Sequence, residues 1–160
     1  MGSYFPSTIS LKLPNYFSVT ADFTSATWNT VAKHEIATVT GLVHMFIIPE
    51  VTSTLTDAAD GASMQFGDEI NTSSLIGPTQ CAGGGGKTLS SGELWFDNSA
   101  SNVATKNQIY SNLDFIVSTS DIGYEITGAA LTGGNIIFHC YWEPVGNNAG
   151  VVAPGTGGTL

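Results

Sequence analysis

The sequence predicts an all-β protein, a single β-sandwich or jelly-roll-like domain with an extended arm at each end. Three observations predict this fold: apolar and polar residues alternate along many short segments, glycine-rich turns separate these segments, and helical periodicity is almost absent. Folding a chain of 160 residues buries roughly 70% of its unfolded surface, which is enough for one core. We expect an N-terminal arm at 1–14, a β-sandwich domain at 15–145 and a glycine-rich tail at 146–160.

The individual strands follow from this alternation, because side chains two positions apart in a strand point to the same face. Four segments place apolar residues on one shared face: Ile9, Leu11 and Leu13; Ala62, Met64 and Phe66; Leu113, Phe115 and Val117; and Ile136, Phe138, Cys140 and Trp142. Turn signals rich in glycine, asparagine and serine occur between strands at 40–43, 57–62, 90–93, 96–102 and 131–135. Many short strands between such turns are typical of a sandwich.

Two segments depart from simple alternation. Pro49 lies inside the apolar run from Leu42 to Val51, and it indicates an edge position or a bulge because proline lacks a backbone N–H. Residues 71–79 favour a brief helical turn capped by Asn71 or Thr72. No longer helix is predicted anywhere in the chain.

The stretch CAGGGGKTL at 81–89 is similar to a phosphate-binding loop, but its pattern is incomplete. The motif requires a glycine five positions before Gly86, where this chain has Cys81. It also requires a buried strand before the loop and an amphipathic helix after it, and neither is predicted here. We expect Gly83 to Gly86 to form a loop with positive-φ residues, and Lys87 to bind no phosphate.

The charge balance excludes several classes of partner. The chain has four lysines and no arginine against 13 acidic residues, with a formal net charge of −9. Nucleic acids and anionic membrane surfaces both require clustered basic residues, so we expect neither as a partner. No apolar run reaches the roughly 20 residues of a membrane span, and the N-terminus shows no secretion signal. We therefore expect a reducing compartment, in which the thiols stay free.

Candidate catalytic and metal-binding residues are few. The three histidines lack the close spacing of a metal site, which favours hydrogen-bonded structural roles: His34, His44 and His139. Four acidic residues cluster around one loop region: Asp57, Asp60, Asp68 and Glu69. A calcium ion near Asp57 and Asp60 is an open alternative, although a solvated acidic loop is favoured because no EF-hand pattern is present. We predict no enzymatic activity, no cofactor and no metal site.

The last predicted strand supplies the predicted core. Phe138, Cys140 and Trp142 share one face, and we expect them inside the sandwich. A disulfide between Cys81 and Cys140 remains an alternative to free thiols, because sequence does not give the required geometry. The tryptophans, Trp28, Trp95 and Trp142, are the residue type of sugar-stacking platforms, but core or interface packing is favoured.

The order of motifs resembles that of small virion proteins of tailed bacteriophages. The segments are HEIATVTGLVHMFIIPEVTSTL at 34–55, GASMQFGDEINTSSLIGPTQ at 61–80, GELWFD at 92–97 and YEITGAALTGGNIIFHCYWEPV at 124–145. In that group, a strand ending in V-T-G leads to a long apolar strand, and a strand closing in W-x-P ends the domain. The resemblance covers roughly residues 30–145 and implies a virion component, with capsid decoration as the expected role.

The two ends of the chain carry the predicted interface. Their sizeable apolar residues are Tyr4, Phe5, Ile9, Leu11, Leu13, Val151, Val152 and Leu160. We expect these residues to lie against neighbouring chains of a homo-oligomer, a trimer, docked on the phage major capsid protein. The alternative is a tail or fibre domain that binds host surface carbohydrate through a tryptophan or the acidic loop.

Overall fold

The computed structural model describes residues 15–83, 88–96 and 113–154, and within these ranges the chain forms nine strands. They are β1 (Asn15–Asp22), β2 (Lys33–Thr40), β3 (Leu42–Asp57), β4 (Ser63–Asp68), β5 (Ile76–Gln80), β6 (Asp114–Ser118), β7 (Ile122–Thr127), β8 (Leu131–Pro144) and β9 (Gly150–Val152). The segments Ile9–Leu13, Gly84–Lys87 and most of the predicted turn at 96–102 lie outside the described residues.

The strands form two antiparallel sheets that pack face to face, which confirms the predicted all-β sandwich. One sheet has four strands in the order β1-β8-β3-β6, and the other has five in the order β5-β4-β7-β2-β9. The described ranges contain no helix long and apolar enough to cross a membrane.

Two long strands form the centre of the four-stranded sheet. β3 has 16 residues and β8 has 14, and they pair from Val43 opposite Pro144 to Asp57 opposite Leu131. Alternation along β3 buries Met45 and Ile47 completely and turns Phe46 and Ile48 outward. This pair therefore supplies both an inner face for the core and a long outer face.

Aromatic rings join the two sheets at the centre of the core. The ring of Phe138, from β8, stacks on Phe66 of β4 at a centroid distance of 5.5 Å and on Tyr124 of β7 at 5.7 Å. Trp95 extends the stack at one end through an edge contact with Phe66 at 6.0 Å, and His34 extends it at the other through Tyr124 at 4.9 Å. All five side chains are buried, so this column holds the sheets in one relative position.

Pro49 occupies a position where β3 has no neighbouring strand on one side. The pairing of β3 with β6 ends at Phe46. The carbonyl of Pro49 accepts a hydrogen bond of 3.0 Å from the Trp95 N–H. Since the nitrogen and carbonyl of one strand residue point to the same side, the missing N–H of Pro49 faces the irregular segment 89–95. Pro49 therefore lies in an inner strand and not at the edge of the sheet, at a point where only an isolated bridge between Glu50 and Leu94 continues the pairing on that side.

The predicted turn at 131–135 is wrong, because these residues begin β8. Gly134 has a φ of +96°, and a Cβ there would lie 2.7 Å from the Leu55 Cα. The glycines therefore allow β8 to approach β3 closely where their register shifts, and they do not reverse the chain.

The predicted helical turn at 71–79 is wrong, because the structure has a tight turn followed by a strand there. Asn71 caps a tight turn by accepting hydrogen bonds from the N–H and hydroxyl of Ser73 at 3.2 Å and 3.0 Å. The remainder is β5, which pairs with β4 at the edge of the five-stranded sheet. An edge strand tolerates Pro78, which has no backbone N–H to donate.

Candidate functional site

The outer face of the four-stranded sheet carries aromatic, aliphatic and ionisable side chains on adjacent strands. The strand register places four of them in one row across the sheet: Tyr16 on β1, Tyr141 on β8, Phe46 on β3 and Asp114 on β6. Neighbouring rows place Glu143 beside His44, His139 beside Ile48, and Ile137 beside Glu50. These residues alternate with the core residues of the same strands, so a rigid interior positions each of them.

A groove of about 520 Å³ lies on this face between the ends of β3 and β8. Its lining is mainly apolar and aromatic: His44, Phe46, Ile48, Tyr141, Trp142 and Glu143. The rings of Phe46 and Tyr141 lie 6.2 Å apart at their centroids, with a tilt of 31°. The volume is within the range of roughly 300–1,000 Å³ that is typical of small-ligand sites.

His44 links three strands at one end of the groove. Its Nδ1 lies 3.0 Å from Glu143 Oε1 on β8, and its Nε2 lies 2.5 Å from Asp114 Oδ1 on β6. A neutral imidazole has one N–H and can donate to only one carboxylate, whereas the protonated ring donates to both. The hydrogen bond to Glu143, followed by that to Asp114, therefore raises the pKa of His44 above its usual 6.5, against a smaller opposing effect of desolvation.

His139 occupies a similar position further along β8. Its Nδ1 lies 2.9 Å from the Tyr16 hydroxyl, and its Nε2 lies 2.9 Å from Glu50 Oε2. The third histidine, His34, is buried and has its Nε2 2.9 Å from the Thr30 carbonyl. All three histidines are therefore hydrogen-bonded, as the sequence predicted.

The acidic residues near residue 60 form two separate turn caps. Asp57 accepts hydrogen bonds from the N–H groups of Gly61 and Ala62, both at 2.8 Å, and the Ala62 bond is the main cause of a pKa held below 3.8. Asp68 accepts from the N–H groups of Ile70 and Asn71, at 2.9 Å and 2.8 Å.

The predicted acidic cluster is therefore divided, since the strand β4 separates Asp57 from Asp68. Backbone N–H groups already use the carboxylates that a calcium ion would need. Within the described residues, no group of three or more histidine, cysteine or acidic side chains is placed to hold a metal ion.

The three predicted core residues differ in burial. Phe138 and Cys140 are fully buried, whereas Trp142 is only half-buried and packs against the margin of the core. Trp142 pairs with Asn15, the first residue of β1, so the four-stranded sheet offers little cover beyond it. This position near the end of β8 explains why the tryptophan lines the groove as well as touching the core.

Both cysteines are free and buried, and burial raises the pKa of each thiol to about 12. The Sγ of Cys81 donates a hydrogen bond of 3.4 Å to the Ala62 carbonyl. The other tryptophans do not join Trp142 in a platform: Trp95 is buried and donates to Thr79 Oγ1 at 3.1 Å, and Trp28 is half-buried against the core.

Two of the predicted interface residues lie in the described part of the chain. Val151 and Val152 belong to β9, which pairs with β2 of the same chain, and Val152 remains 66% exposed. The structure thus differs from the predicted boundary at 145 and 146, because these valines extend the five-stranded sheet of their own domain. The other six, Tyr4, Phe5, Ile9, Leu11, Leu13 and Leu160, lie outside the described residues.

No protein-family model, curated protein or solved structure matches this chain.

Sequence reasoning missed the outer face as a site, although a signal for it was present. Both β3 and β8 carry large apolar residues on their two faces: Phe46 and Ile48 alternate with Ile47, and Ile137 and Tyr141 flank buried positions. A strand that is half-solvated normally has a polar outer face. Apolar residues on both faces of a strand are typical of a second face that is covered by a partner or a ligand.

Proposed function

We propose that this protein is a structural component of a tailed-bacteriophage particle, a decoration protein that binds the capsid and stabilises it. The observation that carries this proposal is the outer face of the four-stranded sheet, where aromatic and aliphatic side chains on adjacent strands stay in contact with solvent. Tyr16 is 52% exposed, and Phe46 and Tyr141 are half-buried. In this proposal the face is the docking surface for the major capsid protein, and the sandwich is a rigid support for it.

The construction of the face supports a docking role. Tyr16, Tyr141 and Phe46 form a continuous row in which adjacent ring centroids lie 5.0 Å and 6.2 Å apart. Tyrosine and phenylalanine contribute large contact areas at a low cost in side-chain entropy, and such residues dominate binding energies at interfaces. Ionisable groups border the row, as in an interface with an apolar centre and a polar rim.

The chemistry of the whole chain supports the same role. Only 11% of its residues are charged, so few ion pairs have to be desolvated when a large surface is buried. The resemblance of residues 30–145 to small phage virion proteins supplies the particular setting, the virion. Enzymatic activity forms no part of the proposal, and no nucleic acid or membrane is among its proposed partners.

We further propose a symmetric homo-oligomer, a trimer. Within the described ranges, β1 and β6 end one sheet, and β5 and β9 end the other. Such strands offer backbone donors and acceptors to an added strand. Residues 1–14, which carry Tyr4, Phe5, Ile9, Leu11 and Leu13, are the proposed attachment segment.

A second candidate function is carbohydrate binding by a tail or fibre domain. The groove favours it specifically, because Tyr141 and Trp142 lie beside the carboxylate of Glu143. Aromatic rings stack on the apolar faces of sugar rings, and a carboxylate accepts hydrogen bonds from sugar hydroxyls. Location of the protein at the tail tip of the particle, and not over the shell, supports this alternative.

The experiment that tests the main proposal uses undecorated capsids of the parent phage and the purified protein. A Phe46→Ser/Tyr141→Ser variant removes the apolar row, and Ile70→Ser removes an exposed apolar side chain elsewhere that is 87% exposed. We expect the double variant to keep its circular dichroism spectrum but to lose regular occupancy on the shell, while Ile70→Ser decorates normally. Full occupancy by the double variant would show that this face is not the docking surface.

A separate variant tests the arm. Deletion of residues 1–8 should lower the oligomeric mass in solution and the incorporation into particles. If the truncated protein keeps both, residues 1–8 are not the attachment device.

A further inference from the structure

The groove at the end of the outer face combines three aromatic rings with an acidic wall. Phe46, Tyr141 and Trp142 supply the rings, and Glu143 supplies a carboxylate whose side chain is 57% exposed. Aromatic faces and a carboxylate together attract organic cations, since the ring quadrupole and the negative charge act in the same direction. A purely apolar ligand would gain nothing from the negative charge of this carboxylate.

The charge at the groove is negative whatever the protonation state of His44. The trio of Glu143, His44 and Asp114 carries a net charge of −1 when the ring is protonated and −2 when it is neutral, with both carboxylates ionised. Among the described residues, the only lysine is Lys33, which lies in β2 of the other sheet. The described part of the face thus offers no lysine to neutralise this trio.

We propose that the groove is a binding site for an arginine side chain of a partner protein. A guanidinium stacks flat on an aromatic ring and donates paired hydrogen bonds to a carboxylate, which fits the ring of Tyr141 and the carboxylate of Glu143, two residues apart on the outer face of β8. A second copy of this chain is a poor occupant, since the sequence has no arginine and a net charge of −9.

This inference rests on the proposed function only in naming a capsid protein as the source of the arginine. Binding of the cation itself is measured on the isolated protein. The capsid experiment changes Phe46 and Tyr141, which also line the groove, but it scores attachment to the shell and does not measure binding of a cation. The two proposals can therefore fail separately.

The test is a titration of the full-length protein with the peptide acetyl-Gly-Arg-Gly-amide, followed by the NMR signals of the three tryptophan indoles. The same peptide with citrulline keeps the shape of arginine and removes its charge. We expect the arginine peptide to shift the Trp142 signal with a millimolar dissociation constant, while the buried Trp95 signal stays in place. The citrulline peptide should bind about tenfold more weakly or not at all.

Two matched variants test whether the carboxylate of Glu143 is what attracts the arginine peptide. Glu143→Gln should weaken the binding of the arginine peptide by about tenfold. Glu69→Gln removes an exposed carboxylate at the end of β4, away from this face, and should leave the affinity unchanged. An equal effect of the two variants would show that the peptide responds to net charge and not to the groove.

Other occupants have their own signatures, and each would overturn the proposal. Equal binding of the arginine and citrulline peptides would mean that the groove does not select a cation. A shift by a neutral N-acetylglucosamine trimer, with none by the arginine peptide, would identify a sugar site. A shift of the Trp142 signal by a tightly bound synthetic peptide of residues 1–14 would make the chain's own arm the occupant. A shift that depends on protein concentration alone would indicate a second copy.

Discussion

Replacement of Phe138 by alanine tests the central claim about the core. Phe138 is fully buried, and its ring is held between Phe66 at 5.5 Å and Tyr124 at 5.7 Å, both from the opposite sheet. Truncation of a buried phenylalanine costs about 3–5 kcal/mol through lost burial and the remaining cavity. Each aromatic pair contributes about 0.5–1.5 kcal/mol beyond its buried area, so we expect the loss for Phe138→Ala to be at least about 4 kcal/mol.

Equilibrium unfolding in urea measures this loss. With a slope of about 2 kcal/mol per molar, a loss of about 4 kcal/mol lowers the midpoint by about 2 M. Phe46→Ala, on the outer face, is the matched control and should cost no more than about 1 kcal/mol. Trp142→Ala should lie between them, at about 1–2 kcal/mol, because the side chain is half-buried. Equal costs for Phe138→Ala and Phe46→Ala would refute the assignment of inner and outer faces.

Three further outcomes follow from the same structure. Since the pKa of His44 is raised above 6.5, its contribution to the free energy of unfolding is full below pH 6.5 and is lost as the pH rises through the folded-state pKa. His44→Gln should flatten that part of a stability–pH curve, and an unchanged curve would contradict the hydrogen bonds of His44 to Glu143 and Asp114. Gly67→Ala should cost about 2–3 kcal/mol in urea unfolding, because its Cβ would lie 2.2 Å from the Asn71 carbonyl oxygen; a neutral substitution would show that this turn relaxes freely. The thiols of Cys81 and Cys140, with pKa values of about 12, should resist Ellman's reagent until the protein unfolds, and rapid native labelling would contradict their burial.

The fold class could be predicted from the sequence because one strand periodicity runs through most of the chain. The alternation of Ile136, Phe138 and Cys140 placed these residues on the inner face, where they lie. Glycine was the main source of error. Gly134 reads as a turn signal in isolation, and its role in a bulged pairing depends on the Leu55 backbone, which is distant in sequence.

The candidate site could not be predicted as a site, because it is made by register between strands far apart in the chain. His44 meets Asp114 and Glu143 across sequence separations of 70 and 99 residues. The sequence showed each histidine without its partners. It also placed the acidic residues near residue 60 in one apparent cluster, although β4 separates them in the structure. Cross-strand pairing, and not local spacing, determines which ionisable groups meet.

The His44 trio makes the stability of the outer face and its attraction for a cation respond to pH in opposite directions. When the ring is protonated, it donates to Glu143 on β8 and to Asp114 on β6, and the clamp between the strands is complete. When the ring loses its proton, the clamp weakens, but the net charge of the trio changes from −1 to −2 and both carboxylates become freer to accept hydrogen bonds from a guanidinium. An arginine peptide should therefore bind the groove more tightly above the pKa of His44 than below it, whereas the protein's own stability should show the reverse trend. Titrations of the peptide on each side of that pKa, in wild type and in His44→Gln, measure the first trend. An affinity that falls with rising pH in the wild type would mean that the peptide does not bind against this trio.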